Sequence, residues 1–474
     1  MGEAELMDKY REETYLPKEK RKKIILLSDD LRMSSGVGTM SKEIVLGTAQ
    51  RYNWFQVGAA IQHPEHGKLA DLSADVSKET GIPDPSVKVL PYNGYGDEML
   101  IRNIIKQEKP DAILHYTDPR FWIWLYQMEH EVRQVMPILF YHVWDNLPYP
   151  MYNKSYYESC DWFGCISKQT ENIVKNVFTE VRDWQVDYIP HGINHKHFFP
   201  IDDTHPELIK RMGEIKKTIF GDVEQDFVLL YNNRNIRRKL ASNIILAFHN
   251  FVQSLPEAKR NRCTFIMHTQ PVDPNGTDLP AVANTLAPGT RIYFSGAKVD
   301  AKDLNCLYNI ADVTINLANA EGFGLSTAES LMAGTPIIAT VTGGLQDQMR
   351  FLDDEGNPVK FNKKWGSNSD GKVKGTHGEW VFPLFPTARS LTGSPLTPYI
   401  FDDYADWQEA IVVIKQLYEM DRSERKRRGK LGREWMLTKE SGMSAEEMSL
   451  RFIGGIDKAI EKWIPRQRYN LYKI

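Results

Sequence analysis

The chain has 474 residues, a formal net charge of −3, 42% hydrophobic residues and 26% charged residues. This length exceeds what one hydrophobic core serves and predicts two domains, while the composition is that of an ordinary water-soluble globular protein. The small net charge excludes a protein that coats nucleic acid by bulk electrostatics, although a local basic groove stays open.

The sequence shows no signal for membrane insertion or export. It contains no apolar run as long as a membrane span, and its acidic start, residues 1–5, lacks the basic and apolar parts of a signal peptide. We therefore expect a cytoplasmic protein without membrane insertion. The four cysteines form neither a disulfide framework nor a paired CxxC zinc motif, so free thiols are predicted.

Short apolar runs alternate with helical patterns in both halves of the chain. The runs are residues 24–27, 55–60, 112–115, 138–142 and 163–166 in the first half, and 227–231, 264–268, 291–294, 313–317 and 336–340 in the second. Such alternation is typical of parallel sheets, because each crossover between parallel strands takes a helix. The sequence therefore predicts an α/β fold with two Rossmann-like domains.

A glycine-rich run follows the first apolar run and precedes a helical pattern. Gly36 and Gly38 resemble the start of a G-x-G-x-x-G dinucleotide fingerprint, but Ser41 stands where the third glycine belongs. The incomplete fingerprint does not by itself predict a dinucleotide site.

A histidine ends the fourth run of the first half, and an aspartate follows it. His142 ends the run 138–142, and Asp145 comes three residues later. The carboxyl end of a parallel strand can face a ligand crevice, which makes both side chains candidates for a site. A structural hydrogen-bonding role for His142 is the alternative.

Residues 189–200 separate the two halves. Pro190 and Gly192 interrupt any regular element, so we predict an interdomain linker here, with domains at residues 1–192 and 193–445. A helical pattern makes residues 446–474 a terminal helix. The three histidines of the linker have no carboxylate or thiolate partner at metal-ligand spacing, and no metal site is predicted.

A basic loop follows the first apolar run of the second half. It contains Arg234 and Lys239, at the carboxyl end of a predicted strand, where parallel sheets bind ligands. Arginine offers a bidentate fork and lysine a mobile point charge, so the two cations are candidates for holding phosphate groups. A solvated basic loop or a nucleic-acid patch is the alternative.

Two carboxylates, Glu321 and Glu329, flank a glycine-rich turn between the run 313–317 and a helical pattern. Backbone N–H groups and the helix dipole at such a junction favour a phosphate, and a carboxylate can accept two hydrogen bonds from a vicinal diol. Ser326 and Glu329 also spell a capping box, which needs no ligand. Further on, residues 353–402 show little periodicity and predict a long functional loop.

These motifs together resemble a known family. The spacing Glu321-x7-Glu329 around Gly-Phe-Gly, the Ala-Gly-Thr-Pro turn at 333–336 and the Arg-x4-Lys spacing of Arg234 and Lys239 are similar to those of the retaining nucleotide-sugar glycosyltransferases of family four. The resemblance implies a GT-B fold, in which two Rossmann-like domains face a central cleft and the last helix crosses back to the N-terminal domain. It also implies an insertion at about residues 353–377.

The same resemblance implies roles for individual residues. Glu321 would face the donor sugar, Glu329 the ribose hydroxyls, and His142 the transferred sugar. Arg234 and Lys239 would bind the diphosphate. Further donor-binding residues would be Gly36, Gly38, Ala297, Val299, Phe323, Gly324, Leu325 and Ser326, and acceptor-binding residues would be Asp145 and Tyr149.

The implied activity is transfer of a sugar from a nucleoside diphosphate sugar, expected to be a UDP-sugar, to a hydroxyl acceptor. No residue is well placed in the sequence to be a covalent nucleophile, so we expect front-face attack with retention of configuration. Neither a cofactor nor a metal is predicted. A non-catalytic module that binds carbohydrate or nucleic acid is the alternative from a different class.

One segment departs from the family pattern and suggests an acceptor. Residues 267–279 replace a short glycine-containing turn, and with residues 232–235 they resemble the variant found in tailed-phage genomes. A viral protein would act in the host cytoplasm, and hydroxymethylated pyrimidine in viral DNA becomes the expected acceptor. The aromatic run at 149–162 and the basic stretches 18–23 and 422–433 would bind DNA, unless they are ordinary packed and solvated faces. A glycan or small-molecule acceptor stays open.

Overall fold

The computed structural model describes residues 12–359 and 376–467. These residues form two compact units. The first comprises residues 12–144, 149–192 and 445–467, and the second comprises residues 145–148, 193–359 and 376–444. The short segment 145–148 therefore groups with the second unit, although it lies within the predicted N-terminal domain.

An eight-stranded sheet forms the centre of the first unit. Its strands are β1 Lys22–Asp29, β2 Tyr52–Ile61, β3 Ala70–Asp71, β4 Val87–Asn93, β5 Ala112–Tyr116, β6 Ile138–His142, β7 Trp162–Cys165 and β8 Val186–Tyr188. They lie in the order β3-β4-β2-β1-β5-β6-β7-β8, and every pair is parallel except β3 with β4. Residues 24–27 of β1 are fully buried, as expected for a central parallel strand that is covered on both faces.

The helices of the first unit follow these strands, and the C-terminal helix joins them. They are α1 Gly36–Thr48, α2 Ser73–Thr80, α3 Glu98–Glu108, α4 Ile123–Gln127, α5 Glu129–Val132, α6 Lys154–Glu158, α7 Lys168–Val177 and, much later in the chain, the C-terminal helix Ala445–Lys462. That last helix buries Met448, Phe452 and Ile456, which share one face. Phe452 packs edge-on against Tyr141, with ring centroids 4.8 Å apart. The last helix is thus part of the first unit.

The second unit contains a six-stranded parallel sheet. Its strands are β9 Phe227–Asn232, β10 Cys263–His268, β11 Ile292–Phe294, β12 Val313–Asn316, β13 Ile337–Thr340 and β14 Val381–Leu384. They lie in the order β11-β10-β9-β12-β13-β14. The helices are α8 Pro206–Phe220, α9 Ala241–Gln253, α10 Glu257–Arg260, α11 Leu279–Leu286, α12 Ala301–Ile310, α13 Leu325–Met332, α14 Leu345–Met349, α15 Trp407–Glu419 and α16 Arg422–Met436, so the C-terminal helix is α17.

A β-hairpin replaces part of the predicted long loop. Strands β15 Pro386–Ser394 and β16 Thr397–Ala405 pair antiparallel, which corrects the expectation of an irregular segment at 353–402. All residues of β15 after Pro386 are exposed, so the hairpin lacks the buried apolar alternation by which strands are recognised in a sequence. Residues 360–375 of the predicted insertion lie outside the described residues.

Candidate active site

The candidate site lies where two neighbouring parallel strands of the second unit end. β9 ends at Asn232 and β12 at Asn316, and the loops that follow meet through a hydrogen bond of 2.9 Å from the Asn319 amide to the Arg238 carbonyl. Since both strands run in the same direction, their carboxyl ends open on one edge of the sheet. This arrangement brings the basic loop and the glycine-rich turn together.

Lys239 and Glu321 form a buried ion pair at this edge. Lys239 is 6% exposed and Glu321 8% exposed, and the lysine Nζ donates to Glu321 Oε2. Arg238 Nη1 donates to the carbonyl of Ala320 and lies 3.9 Å from Glu321 Oε2. Burial acts to raise the pKa of Glu321, but the positive charges of Lys239 and Arg238 outweigh it and hold this pKa below its usual value. Glu321 is thus an ionised carboxylate between two cations.

The Glu321 backbone is held by a glycine pair that the sequence analysis missed. The Gly344 amide donates to the Glu321 carbonyl at 2.9 Å. At Gly343 the φ angle is +48°, and a Cβ there would lie 2.0 Å from the Glu321 carbonyl oxygen. Only glycine combines this close approach with a left-handed backbone. The turn after β13 therefore fixes the position of the carboxylate-bearing loop.

Replacing Gly343 by alanine is expected to cost about 3 kcal/mol of unfolding free energy, since backbone strain and overpacking add. It is also expected to lower activity, because Glu321 must shift. Gly81 is the matched control, with φ of +76° in the left-handed helical region and nothing within 4 Å of an added Cβ, so alanine there incurs the backbone strain alone, about 1 kcal/mol. Denaturant unfolding of both variants checks this, and equal losses would contradict the close-packing argument.

Glu329 lies on α13 and receives a hydrogen bond from a buried tyrosine. Asn232 Nδ2 donates to the Tyr308 hydroxyl at 2.8 Å, and that hydroxyl donates to Glu329 Oε2 at 2.7 Å. Burial raises the pKa of Glu329 to about 7, and the tyrosine hydrogen bond opposes this shift. The residue as a whole is half-buried, and Tyr308 contacts only one oxygen of its carboxylate.

The capping-box alternative for Ser326 and Glu329 is wrong. Gly324 occupies the N-cap position of α13, without a side-chain cap. Ser326 instead accepts a hydrogen bond of 3.3 Å from Asn233 in the basic loop. Leu325 begins the helix and Phe323 is buried at 2% exposure beside this turn. Ser326 therefore contacts the neighbouring basic loop and does not cap its own helix.

Arg234 and Lys239 have different partners. The Arg234 side chain is 61% exposed and donates from Nε to Asp273 Oδ2 at 2.9 Å, whereas Lys239 pairs with Glu321. Ala297 and Val299, expected to bind the donor, lie in the segment after β11, where Gln270 Nε2 donates to the Gly296 carbonyl at 3.1 Å.

Asp145 belongs to the second unit and lies near the Glu321 cluster. Burial raises its pKa, the charge of Arg238 opposes this shift, and Glu321 adds to it. The hairpin holds the next residues, because Asn146 Nδ2 donates to the Phe401 carbonyl at 2.9 Å and the Phe401 amide donates to the Leu147 carbonyl at 2.5 Å. Asp145 thus begins the short segment of residues 145–148, which hydrogen bonds to β16 hold in place.

The hairpin also anchors the loop before Glu321. The Asp403 amide donates to the Asn319 carbonyl at 3.0 Å, and the buried Asp403 carboxylate accepts from Thr342 Oγ1 at 3.2 Å and Arg389 Nε at 2.9 Å. The contacts of Asp403 with Asn319 and Thr342 join residues more than 60 positions apart, and no sequence motif marks them. Asp403 is therefore a structural link between β16 and the site.

The predicted residues of the first unit have structural partners. His142 is buried, and its Nε2 lies 2.6 Å from the Tyr157 hydroxyl. Burial, with a smaller effect of the Arg120 charge, lowers the pKa of His142 to about 3, so the ring is neutral. The Tyr149 hydroxyl accepts a hydrogen bond of 3.2 Å from Asn172. Their roles toward sugar and acceptor stay predictions.

Gly36 and Gly38 lie in the first turn of α1. Ser35 caps this helix, because its Oγ accepts from the Gly38 amide at 3.0 Å and donates to Asp29 Oδ2 at 2.8 Å. A Cβ at Gly38 would lie 2.6 Å from the Met33 carbonyl, so the loop after β1 folds closely against the helix start. A role in donor binding stays a prediction for both glycines.

Two further observations concern the described residues. Residues 12–359 and 376–467 contain no group of three or more His, Cys, Asp or Glu side chains that could hold a metal ion. In the same ranges, no helix combines the length and apolar character needed to cross a membrane.

Solved structures identify the fold. The chain resembles Anabaena HepE in complex with UDP and glucose, with TM-score 0.61, 13% identity and coverage of 92% of this chain and 100% of that one. It resembles sucrose-phosphate synthase from Thermosynechococcus elongatus, with TM-score 0.61, 16% identity and coverage of 93% and 100%. A trehalose-phosphate synthase from Burkholderia xenovorans in complex with glucose-6-phosphate gives TM-score 0.58, 10% identity and coverage of 92% and 100%. The predicted GT-B fold is confirmed.

Sequence comparisons narrow the class. Residues 214–364 match the family model of glycosyl transferases group 1. Alpha-monoglucosyldiacylglycerol synthase of Acholeplasma laidlawii is 25% identical over 196 residues, 41% of this chain and 45% of that protein. Mannosylfructose-phosphate synthase of Agrobacterium fabrum is 27% identical over 161 residues, 33% of each chain. The match thus spans less than half the length of these curated relatives, and it supports a group 1 glycosyltransferase.

Proposed function

We propose that the protein is a retaining glycosyltransferase that transfers a sugar from a UDP-sugar to a hydroxyl acceptor. The observation that carries this proposal is the junction of Lys239, Glu321 and Glu329 at the ends of β9 and β12. A cation for the leaving phosphate, a carboxylate for the sugar and a carboxylate for the ribose diol then share one sheet edge. The presence of UDP in the HepE complex supports the choice of base.

The reaction breaks the bond between the anomeric carbon and the β-phosphate oxygen, and negative charge develops on that phosphate. Lys239 would stabilise this charge in a site that largely excludes water, where electrostatic stabilisation is strongest. Lys239 must first leave Glu321, which is then free to accept hydrogen bonds from the sugar. The acceptor oxygen attacks from the face that the phosphate leaves, and the phosphate takes the acceptor proton.

Retention of configuration follows from this front-face route. We expect an NMR time course to show that the product has the same anomeric configuration as the donor. Product with the inverted configuration would exclude the front-face route while leaving the transferase activity itself intact.

Two sequence features were expected to bind a DNA acceptor, an aromatic run and two basic stretches, and members of both have other roles in the structure. Tyr157 and Trp162 of the aromatic run are fully buried, so they cannot stack on a base. In the basic stretches, Lys22 pairs with Asp111 at 3.0 Å and Arg427 with Glu379 at 2.5 Å. We therefore rank a glycan or small-molecule acceptor first and hydroxymethylated DNA second.

The testing experiment offers UDP-, GDP-, ADP- and dTDP-sugars with three acceptor pools: hydroxymethylcytosine DNA, sugar phosphates and oligosaccharides. Mass spectrometry would detect the added sugar, and a coupled assay would detect the released nucleoside diphosphate. Release with a mass gain in one pool identifies the acceptor class. Absence of release from every donor, together with binding of sugar or DNA, would favour the non-catalytic binding module.

A further inference from the structure

Arg234 is an exposed cation fixed by a buried carboxylate. Its side chain is 61% exposed, whereas that of Asp273 is 8% exposed. Arg234 Nε donates to Asp273 Oδ2 at 2.9 Å, and Nη2 lies 3.5 Å from Oδ1. Among the described residues no hydrogen bond is formed by Nη1. The carboxylate therefore occupies one edge of the guanidinium and leaves another edge open.

Asp273 is itself rigidly held in the loop of residues 270–277, which follows β10. Its Oδ1 accepts a hydrogen bond of 2.9 Å from the Asn275 amide, and its carbonyl accepts one of 2.9 Å from the Gly276 amide. Both ends of the residue are thus bonded within one turn. The carboxylate has a defined direction before any ligand arrives.

A buried asparagine ties this loop to the basic loop. Asn235 is 1% exposed, and its Nδ2 lies within hydrogen-bonding distance of the carbonyls of Thr277, Gln270 and Pro271, at 2.7, 3.2 and 3.2 Å. A Cβ at Gly276 would lie 2.1 Å from the Asn235 carbonyl oxygen, so the backbones touch there. The residue next to Arg234 is therefore locked to the loop that carries Asp273.

We propose that Asp273 is a positioning residue, which orients Arg234 so that the open edge of its guanidinium faces the donor diphosphate. The loop of residues 270–277 then belongs to the donor site. This inference rests on the proposed function. The loop lies in the segment that departs from the family pattern. The contacts of Asn235 and Asp273 give this segment a structural role, because they hold Arg234 in place. A guanidinium held at one edge loses less rotational freedom when it binds phosphate at the other.

The opposite role for Asp273 predicts an effect of opposite sign. If Asp273 merely competed with phosphate for Arg234, then Asp273→Asn would remove a negative charge and tighten binding of a nucleoside diphosphate. If Asp273 orients Arg234, the same change weakens binding, because asparagine is neutral and holds the guanidinium less firmly. The direction of the change therefore decides between the two roles.

The experiment measures dissociation constants by calorimetry for UDP, GDP, ADP and dTDP, and continues with the one that wild type binds most tightly. Asp273→Asn is expected to weaken this binding about tenfold, the cost of one charge-assisted hydrogen bond. In the Arg234→Ala background it should have no further effect, because the residue to be oriented is gone. The control is Asp278→Asn, which keeps the cap on α11, where Asp278 Oδ1 accepts from the Ala281 amide at 2.9 Å, and should bind as wild type does.

Three outcomes would overturn the inference: tighter binding, unchanged binding, or an equal loss in the Arg234→Ala background. Each of them leaves the proposed function intact, because wild type still binds a nucleoside diphosphate. If wild type binds none of the four, the proposed function fails first and the inference with it. Thermal unfolding of each variant distinguishes a loss of binding from a loss of fold.

Discussion

Replacing Lys239 by alanine is expected to lower kcat for sugar transfer by about 10²- to 10³-fold, the usual cost of removing one preorganised donor to a developing anion. The same variant should lose about 3–5 kcal/mol of unfolding free energy, because Glu321 would be left as a buried charge without its main partner. Rates with saturating donor and denaturant unfolding curves measure the two effects.

A double variant separates these effects. Lys239→Met combined with Glu321→Gln removes both charges and keeps the side-chain volumes similar, so much of the lost stability should return. Activity should not return, because neither the phosphate nor the sugar regains its partner. Recovery of activity together with stability would show that the pair is only structural and would contradict its assignment to the donor site.

Replacing Glu329 by glutamine is expected to weaken nucleoside diphosphate binding about tenfold at pH 8 and to change it little at pH 5.5. Burial raises the pKa of Glu329 to about 7, so the wild-type carboxylate is ionised only at the higher pH. Ionised, it can accept both ribose hydroxyls. The ratio of the variant to the wild-type dissociation constant, in which the titration of the nucleotide phosphate cancels, should change across this range with a midpoint near the pKa of Glu329.

The effect of Glu329 on the pH dependence of stability should be opposite in sign to its effect on the pH dependence of binding. The native state keeps a proton on this group up to a pKa of about 7, whereas the unfolded chain releases it near 4.5. Native protein thus binds more protons in this window, and its unfolding free energy falls as pH rises through it. Glu329→Gln should remove that part of the decline. Tyr308→Phe, which deletes the opposing hydrogen bond, should move the binding midpoint upward, and an unchanged midpoint would contradict this account.

Sequence patterns predict the structural features that depend on each element's own residues. The apolar runs at 24–27 and 313–317 predict central parallel strands because burial on both faces leaves an unbroken apolar stretch. Lys239 and Glu321 each follow a predicted parallel strand. This position predicts that both lie at one edge of the sheet, because the carboxyl ends of neighbouring parallel strands share an edge. The types of these elements and the order of the strands in the sheet together place the two residues at one site.

Other parts of the site depend on contacts that are distant in sequence. Gly343 is required by the carbonyl of Glu321, and no local turn pattern reveals that neighbour. Asp403 acts through Asn319 and Thr342, which lie on separate loops. The β15–β16 hairpin was missed because its exposed strands lack apolar periodicity. Arg234 was noted as a candidate from the sequence, but its partner Asp273 follows a different strand.

The charges around the site have a consequence for how fast a donor arrives. Four cations and four carboxylates lie in this region of the second unit: Arg234, Arg237, Arg238, Lys239, Asp145, Asp273, Glu321 and Glu329. Their formal charges cancel, so a few Debye lengths away these groups present almost no field to an anionic nucleotide. Encounter is then governed by diffusion and orientation, and the association rate should change little with ionic strength. Discrimination in favour of a diphosphate begins only after contact, when Lys239 exchanges Glu321 for a phosphate oxygen and Arg234 binds through the guanidinium edge that Asp273 leaves open.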